Sequence, residues 1–180
     1  MSTEHSRKTL ATGYSVAVEY DPYPESPRNW DNVGTVVLVD RCRYSFGDET
    51  AGQDELARIA RDPDNICLPV YMYDHSGITI NTTGFSCPWD SGQVGLIYCT
   101  KDRARSEWGR VYRQRALACL KGEIETLDQY LTGQVYGYVV RDPQGEELDS
   151  CWGFYGDAEN CMAEGEAVAR HHEKEPGLVD

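Results

Sequence analysis

The sequence predicts an α+β fold, with one largely antiparallel sheet packed by one long amphipathic helical segment and by a C-terminal helix. Three observations support this. Strand-like segments come in pairs joined by short turns, a long helical pattern is inserted between groups of strands, and a second helical pattern follows the last pair. With 180 residues, of which 40% are hydrophobic, we expect a single domain over 11–173 between flexible ends at 1–10 and 174–180.

The first hundred residues are expected to be mainly strands. Three prolines in DPYPESPRNWDN (21–32) predict a loop without regular structure, and 47–52 is a second polar loop. A short helix is predicted over 53–61, and Pro63 prevents its continuation. A turn at 74–77 is expected to join two strands into a hairpin. Alternating or β-branched residues predict strands at 11–20, 34–40, 66–73, 78–82 and 94–100.

The strongest helical signal follows the last of these strands. We expect this helical segment to be broken near Gly122 and to end at Gly133, which would serve as its C′ glycine. The apolar residues that recur at spacings of three or four are Trp108, Tyr112, Ala116, Leu117, Leu120, Ile124, Leu127 and Leu131.

The C-terminal third is predicted to be a hairpin followed by a helix. Strands at 134–140 and 147–155 flank the turn sequence DPQG, and Trp152 alternates within the second strand, so we expect it in the core. Asp157 is positioned to cap the last helix. The residues expected to face inward from that helix are Cys161, Met162, Val168 and Ala169.

The chain is strongly acidic, with 30 Asp and Glu against 17 Lys and Arg and a net charge of -13. Such a field repels nucleic acid and anionic membrane surfaces and attracts basic partners. The alternative interpretation is that the charge serves only solubility.

The seven cysteines do not indicate a disulfide framework or a zinc site. Their number is odd, no CxxC pair is present, and no apolar signal segment precedes them, so we expect reduced cysteines in a cytosolic protein. The sequence contains no run of about 18 apolar residues, so we expect no membrane span.

Two polar segments that contain tryptophan form the candidate interaction surface. SPRNWDNVGT contributes Trp30, Asp31 and Asn32, and the turns within YMYDHSGITINTTGFSCPWDSGQVG contribute Asp74, His75, Trp89, Asp90 and Ser91. A loop tryptophan can anchor a partner, or it can fold its loop down onto its own sheet. The Arg-rich helical run 101–115 is either a solvated face or a contact for an acidic surface.

The same turns contain residues of the types that act in catalysis and metal binding, but they match no recognised motif. Cys87, His75 and Asp90 could act as nucleophile, base and orienting acid, but Cys87 lacks the flanks of any catalytic cysteine family. Asp31, Asp74 and Asp90 with His75 could offer metal ligands, yet no HExxH or EF-hand loop is present. We therefore predict no catalytic residue, no cofactor and no metal, and we favour a non-enzymatic role.

Four stretches together resemble a family of small uncharacterised proteins from bacteriophages and other mobile elements. They are SPRNWDNVGT, YDHSGITINTTGFSCPWDSGQVGLIYCTK, LKGEIETLDQYLTGQVYGYVV and DSCWGFYGD, and they span most of 20–157. The resemblance implies a phage or plasmid accessory gene acting in a bacterial cytoplasm. It transfers no catalytic residues, because no activity is established for the family.

Small acidic accessory proteins in that setting include inhibitors of restriction or CRISPR machinery, some of which imitate the charge of nucleic acid. By analogy, we expect an inhibitor whose partner is a host protein complex with a basic nucleic-acid-binding groove. The alternatives are a small cytosolic enzyme with a polar pocket around Asp74, His75, Cys87 and Asp90, and a structural or housekeeping phage protein.

Overall fold

The structure, a computed structural model, describes residues 3–174 and confirms the α+β prediction. The chain forms two compact units, unit 1 (Met1–Glu25 and Gly133–Asp180) and unit 2 (Ser26–Thr132), which are described separately. Within the described residues the strands lie in two mostly antiparallel sheets, one in each unit.

The elements are numbered in chain order. The strands are β1 Glu4–Thr9, β2 Ser15–Tyr20, β3 Thr35–Val39, β4 Glu49–Ala51, β5 Asn65–Asp74, β6 Ile78–Asn81, β7 Ser91–Thr100, β8 Val135–Arg141 and β9 Glu147–Tyr155. The α-helices are α1 Gln53–Arg61, α2 Lys101–Trp108, α3 Tyr112–Leu131 and α4 Ala158–Lys174.

Unit 1 is a four-stranded antiparallel sheet with one helix on a face. The strand order is β1-β2-β8-β9, and α4 packs on β2 and β8. The helix comes close because Gly165 has no side chain: a Cβ there would lie 2.5 Å from Cγ1 of Val16. The apolar residues of this core include Val16, Val18, Tyr138, Val140, Cys161 and Ala169.

The prediction of a flexible N-terminus over 1–10 is wrong for the described part of that range. Residues Glu4–Thr9 form β1, which pairs antiparallel with β2. Their side chains are polar and mostly exposed, so the hydrophobic pattern gives no strand signal. Backbone hydrogen bonds to an apolar neighbouring strand hold such an edge strand in place.

Unit 2 is a five-stranded sheet that carries helices on both faces. The order is β4-β3-β7-β5-β6, and only the β3–β4 pair is parallel. Helix α1 covers one face through Leu56, which packs with Val37 and Leu96. Helix α3 covers the other through a row of fully buried residues, and the members of this row are Ala116, Leu120, Ile124 and Leu127.

Three predictions for unit 2 need correction. The loop at 47–52 contains β4, a strand too short to show a pattern. The loop at 21–32 contains a 3₁₀ turn at Pro27–Asn29, which starts at a proline with the capping oxygen of Ser26 before it. The long helical segment breaks at Gly109, whose φ is 57°, and not at Gly122, which stays helical inside α3.

A buried ionic clamp joins the loop before β3 to α3 in unit 2. The Arg28 side chain is 8% exposed and lies 2.6 Å from Asp48 and 3.1 Å from Glu123. Its guanidinium also donates to the Gly34 carbonyl, and Glu123 accepts the Val33 N–H. Burial alone would lower the pKa of Arg28, but the hydrogen bonds that Arg28 donates to the two carboxylates outweigh burial and raise that pKa.

Several other local predictions hold closely. The helix at Gln53–Arg61, the β5–β6 hairpin and the β8–β9 hairpin occur where the sequence predicted them. Asp157 caps α4 by accepting the Asn160 N–H at 2.8 Å, and Gly133 has a φ of 72° after α3. Of the tail predicted at 174–180, Lys174 is the last residue of α4, and 175–180 lie outside the described residues.

Trp152 contradicts the prediction that it belongs to the core. It lies on β9 and is 40% exposed. Its indole rests instead on Gly137 of the neighbouring strand, since a Cβ at Gly137 would lie 2.2 Å from Cε3 of the ring. The alternating pattern correctly predicted that Trp152 lies in a strand. It did not show that this strand is the terminal strand of its sheet, where the residue is exposed.

Candidate functional site

The polar turns predicted around His75 and Trp89 form one end of the unit 2 sheet. We call residues 74–77 and 82–91 the tip site. The Asp74 N–H donates to the Asp90 carbonyl at 2.9 Å, which ties the hairpin turn to the following loop. The turn itself is closed by the His75 N–H and the Gly77 carbonyl, with Ser76 at a φ of 60°. Backbone hydrogen bonds therefore fix both turns to each other.

The Asp74 carboxylate belongs to a surface cluster with two residues that follow β3. Its Oδ2 accepts from Arg43 at 2.6 Å and from the Tyr44 hydroxyl at 3.1 Å. The Arg43 guanidinium also lies 5.0 Å from the centre of the Tyr44 ring. Asp74 is thus neutralised within its own unit, which makes it a structural contact.

The structure brings His75, Cys87 and Asp90 together, although not in a catalytic order. Asp90 Oδ2 lies 3.5 Å from His75 Nδ1 and 3.8 Å from Cys87 Sγ. A thiol nucleophile requires contact with the imidazole that takes its proton, whereas here both groups meet the same carboxylate. The His75 and Asp90 side chains are 66% and 43% exposed, so water reaches the cluster.

Trp89 stands at the outside of the tip site. It is 92% exposed, the highest value among the exposed large apolar residues. Behind it, the Ser91 hydroxyl donates to the Cys87 carbonyl and closes the loop, and Phe85 packs 5.7 Å from Tyr73. The loop is therefore held by its other residues, and the indole of Trp89 is presented to solvent.

Trp30, Asp31 and Asn32 form a second group, next to α3. Asn32 donates its side-chain amide to the Trp30 carbonyl, which fixes the loop, and the Asp31 carboxylate is 94% exposed, 3.4 Å from Arg103. Trp30 is 43% exposed. A cleft of about 330 Å³ is lined here by Pro27, Trp30, Asn32, Cys119, Gly122, Glu123 and Thr126.

The two predicted groups lie at opposite ends of the unit 2 sheet. Ser91 begins β7 beside Tyr73, whereas Thr35, which follows the Trp30 group, pairs with Tyr98 near the end of β7. Ser91 and Tyr98 are seven positions apart along the extended strand, which corresponds to a distance of roughly 23 Å between them. The eight predicted residues therefore form two surfaces instead of one.

The Arg-rich run 101–115 is largely exposed, and two of its arginines form ion pairs with acidic residues of α2. Arg105 pairs with Asp102 at 3.0 Å, and Arg103 pairs with Glu107 at 3.3 Å, all on exposed helical turns. These residues neutralise one another along the helix surface.

The described residues contain neither a metal-binding cluster nor a membrane-spanning helix. Within 3–174 no group of three or more His, Cys, Asp or Glu side chains converges in a way that could hold a metal ion. No helix in the same range combines the length and apolar character that crossing a membrane requires.

Sequence reasoning missed how unevenly the acidic residues are distributed. Unit 1 contains 15 acidic and 5 basic residues and unit 2 contains 15 and 12, which together make the 30 and 17 of the chain. The signal was present in the sequence: between Arg141 and Arg170 there are eight acidic residues and no Lys or Arg. The exposed members of that run are Glu146, Glu147, Asp149, Asp157, Glu159 and Glu164.

Comparisons with protein-family models, with curated proteins and with solved structures find no match.

Proposed function

We propose that this protein is a phage- or plasmid-encoded acidic inhibitor that binds a host nucleic-acid-binding defence complex in the bacterial cytoplasm. The observation that carries the proposal is the concentration of negative charge in unit 1. Its excess of ten acidic residues over basic ones contrasts with an excess of three in unit 2. An acidic unit of this kind competes for a groove that otherwise holds phosphate groups.

The arrangement of the acidic residues supports this function over a role in solubility alone. Charges that serve only solubility would be interspersed with basic residues, as they are along α2 in unit 2. In unit 1 the β8–β9 hairpin and the first turns of α4 carry exposed carboxylates, and the chain there lacks basic residues between Arg141 and Arg170. The field of this segment is therefore of one sign, which steers basic surfaces toward it.

The test is a pull-down of purified restriction and CRISPR effector complexes, from about 50 mM to about 500 mM salt, with a nucleic-acid cleavage assay in parallel. We expect binding that weakens steeply with salt and inhibition that excess nucleic acid relieves. Binding that ignores ionic strength would contradict the electrostatic mechanism. An absence of binding and of inhibition would favour a structural or housekeeping role.

A matched pair of variants separates the acidic segment from the net charge of the whole chain. Replacing four exposed unit 1 carboxylates by amides should abolish inhibition, whereas the same change in unit 2 should leave it nearly intact. The unit 1 set is Glu146, Glu147, Asp149 and Glu164. The unit 2 set, which removes the same charge, is Asp54, Asp102, Glu107 and Glu125.

A second candidate function, a small enzyme acting at the tip site, is favoured by one observation, the meeting of His75 and Cys87 at Asp90. Substituting Ala for His75, Cys87 and Asp90 in turn tests it. If all three variants fold and keep the biological effect, catalysis at this site is excluded. Loss of the effect in every variant, with folding intact, would favour the enzyme over the inhibitor.

A further inference from the structure

Strand β9 is a long terminal strand with an open edge. It lies at the end of the order β1-β2-β8-β9, and within residues 3–174 no strand pairs with its other side. The strand is nine residues long, and five consecutive residues, Asp149 to Gly153, are exposed. Because a terminal strand leaves backbone N–H and C=O groups without strand partners, the regular stretch Asp149 to Trp152 can accept an additional strand.

The two edges of the unit 1 sheet differ in how they are protected. The other edge strand, β1, has six residues and contains Arg7 and Lys8, residues of the kind that blunt strand edges. Strand β9 has the sequence ELDSCWGFY, which contains no Lys, Arg or Pro. It bulges at Leu148 and Gly153, so the regular part of its edge is the stretch between them, Asp149 to Trp152. Its only charges are negative, at Glu147 and Asp149, so the edge repels acidic strands and leaves basic ones unopposed.

Trp152 provides an apolar contact in the middle of this edge. Its ring rests on Gly137, where a Cβ would come within 2.2 Å, and yet the residue remains 40% exposed. A tryptophan held in place by its own sheet loses little conformational freedom when a partner covers it. The ring is therefore prepared as an anchor for a side chain of an added strand.

Carboxylates lie on the helix side of the same strand. Glu164 on α4 and Asp157, which caps that helix, are both exposed. Helix α4 contacts β9 directly. An added strand would therefore run beside negative charge both from β9 and from α4.

We propose that β9 is a docking edge for an extended, basic segment of the partner, which adds to the unit 1 sheet as a fifth strand. Backbone hydrogen bonds supply the affinity, and Trp152 holds an apolar side chain. The carboxylates of Asp149 and Glu147, which pair with the adjacent residues Val140 and Arg141 and so lie on opposite faces of the sheet, attract Lys and Arg on both faces of the added strand. The inference deepens the proposed function, because it specifies the part of a basic partner that makes contact.

A second copy of this chain is a poor occupant of the edge. Self-association through β9 would bring together two units that each carry an excess of ten acidic residues. Like charges across an interface oppose binding, whereas a cationic segment is attracted. The basic segment is therefore the occupant that the charges favour.

The test uses the full chain and three peptides of about ten residues, measured by fluorescence anisotropy. The first alternates Lys and Val, the second is the same peptide with alternate backbone amides N-methylated, and the third alternates Glu and Val. We expect the first to bind and methylation to weaken binding by about tenfold or more, because charge is kept while strand pairing is blocked. The Glu peptide should not bind.

Protein variants and hydrogen exchange locate the contact. The double charge reversal Glu147→Lys, Asp149→Lys should weaken the basic peptide by about tenfold, whereas Glu125→Lys in unit 2 should change it less than about twofold. Binding should slow amide exchange in β9 and leave β1 unchanged. Circular dichroism of each variant establishes that it is folded.

Three outcomes would overturn the proposal. They are equal affinity for the N-methylated peptide, protection outside β9, and a concentration-dependent dimer of the free protein whose β9 amides are protected. If the basic peptide does not bind while the pull-down shows binding that weakens with salt, the docking edge is removed and the proposed inhibitor stays in place. If the basic peptide binds but the pull-down and the cleavage assay show no effect, the docking edge stays in place and the proposed inhibitor is removed.

Discussion

Units 1 and 2 use the same kinds of elements and differ in what those elements leave exposed. In unit 2 helices cover both faces of the sheet, and a buried arginine clamps two carboxylates. In unit 1 one helix packs on one face, and Ala17 and Val139 on the other face are also buried. Its last strand has an open edge, and acidic residues outnumber basic ones threefold. The difference shows that the two units distribute charge and open strand edges unequally; under the proposed function, unit 1 makes the contact with the partner.

The largest effect is expected from the clamp. Arg28→Ala should lower the free energy of unfolding by about 3–5 kcal/mol, because it leaves Asp48 and Glu123 without their buried cation. Urea denaturation measures the change. Arg58→Ala is the matched control, since Arg58 is 74% exposed in its pair with Glu55, and its removal should change the free energy of unfolding far less. Similar losses in the two variants would contradict the clamp.

The same glycine substitution should have opposite signs in the two units. Gly165→Ala in α4 places a methyl group 2.5 Å from the Val16 side chain, so we expect a loss of about 1–3 kcal/mol. Gly122→Ala in α3 meets nothing within 4 Å and should stabilise the helix by about 0.5–1 kcal/mol. Thermal and urea unfolding test both, and a stabilising Gly165→Ala would show that α4 does not pack closely on the sheet.

Unit 1 should also lose stability at alkaline pH through Cys161. Its pKa rises from 9.0 to about 12 in the folded protein, chiefly through burial, so the thiol ionises first in the unfolded chain. The stabilisation is complete below about pH 9 and is lost as pH rises toward 12, amounting to about 1 kcal/mol at pH 10. Urea unfolding of the wild type and of Cys161→Ala between pH 7 and about pH 10.5 should diverge, and parallel curves would contradict it.

The smallest effect on stability is expected at the tip site. Trp89→Ala should change the free energy of unfolding by less than about 0.5 kcal/mol, because the side chain is 92% exposed. If unit 1 makes the functional contact, Trp89→Ala keeps inhibition and Trp152→Ala reduces it. The opposite result in the cleavage assay would move the functional surface from β9 to the tip site.

The local elements were largely predictable because their signals are local. Helix α1 ends where Pro63 forbids continuation, and the β5–β6 hairpin follows from two strand-like runs around a polar turn. The helical spacing gave the face of α3, but it placed the break near Gly122 instead of Gly109, since the break depends on which glycine adopts positive φ.

The candidate site was less predictable. The sequence offered His75, Cys87 and Asp90 as a possible set without showing that they meet. Their contacts depend on the hydrogen bonds that tie the two turns, which no spacing reveals. It also joined Trp30 with Trp89, which stand at opposite ends of one sheet. Strand pairing between distant segments sets that separation.

The sequence by itself determined the α+β class, the position of most helices and strands, and the excess of acidic residues, because periodicity and composition act through neighbouring residues. Only the tertiary structure decided that polar residues Glu4–Thr9 form an edge strand, that β4 pairs in parallel, and that Trp152 is exposed on a terminal strand. The reason is physical. Backbone hydrogen bonds join strands without regard to their side chains, so strand order, and with it every edge and buried face, depends on partners far away in the chain.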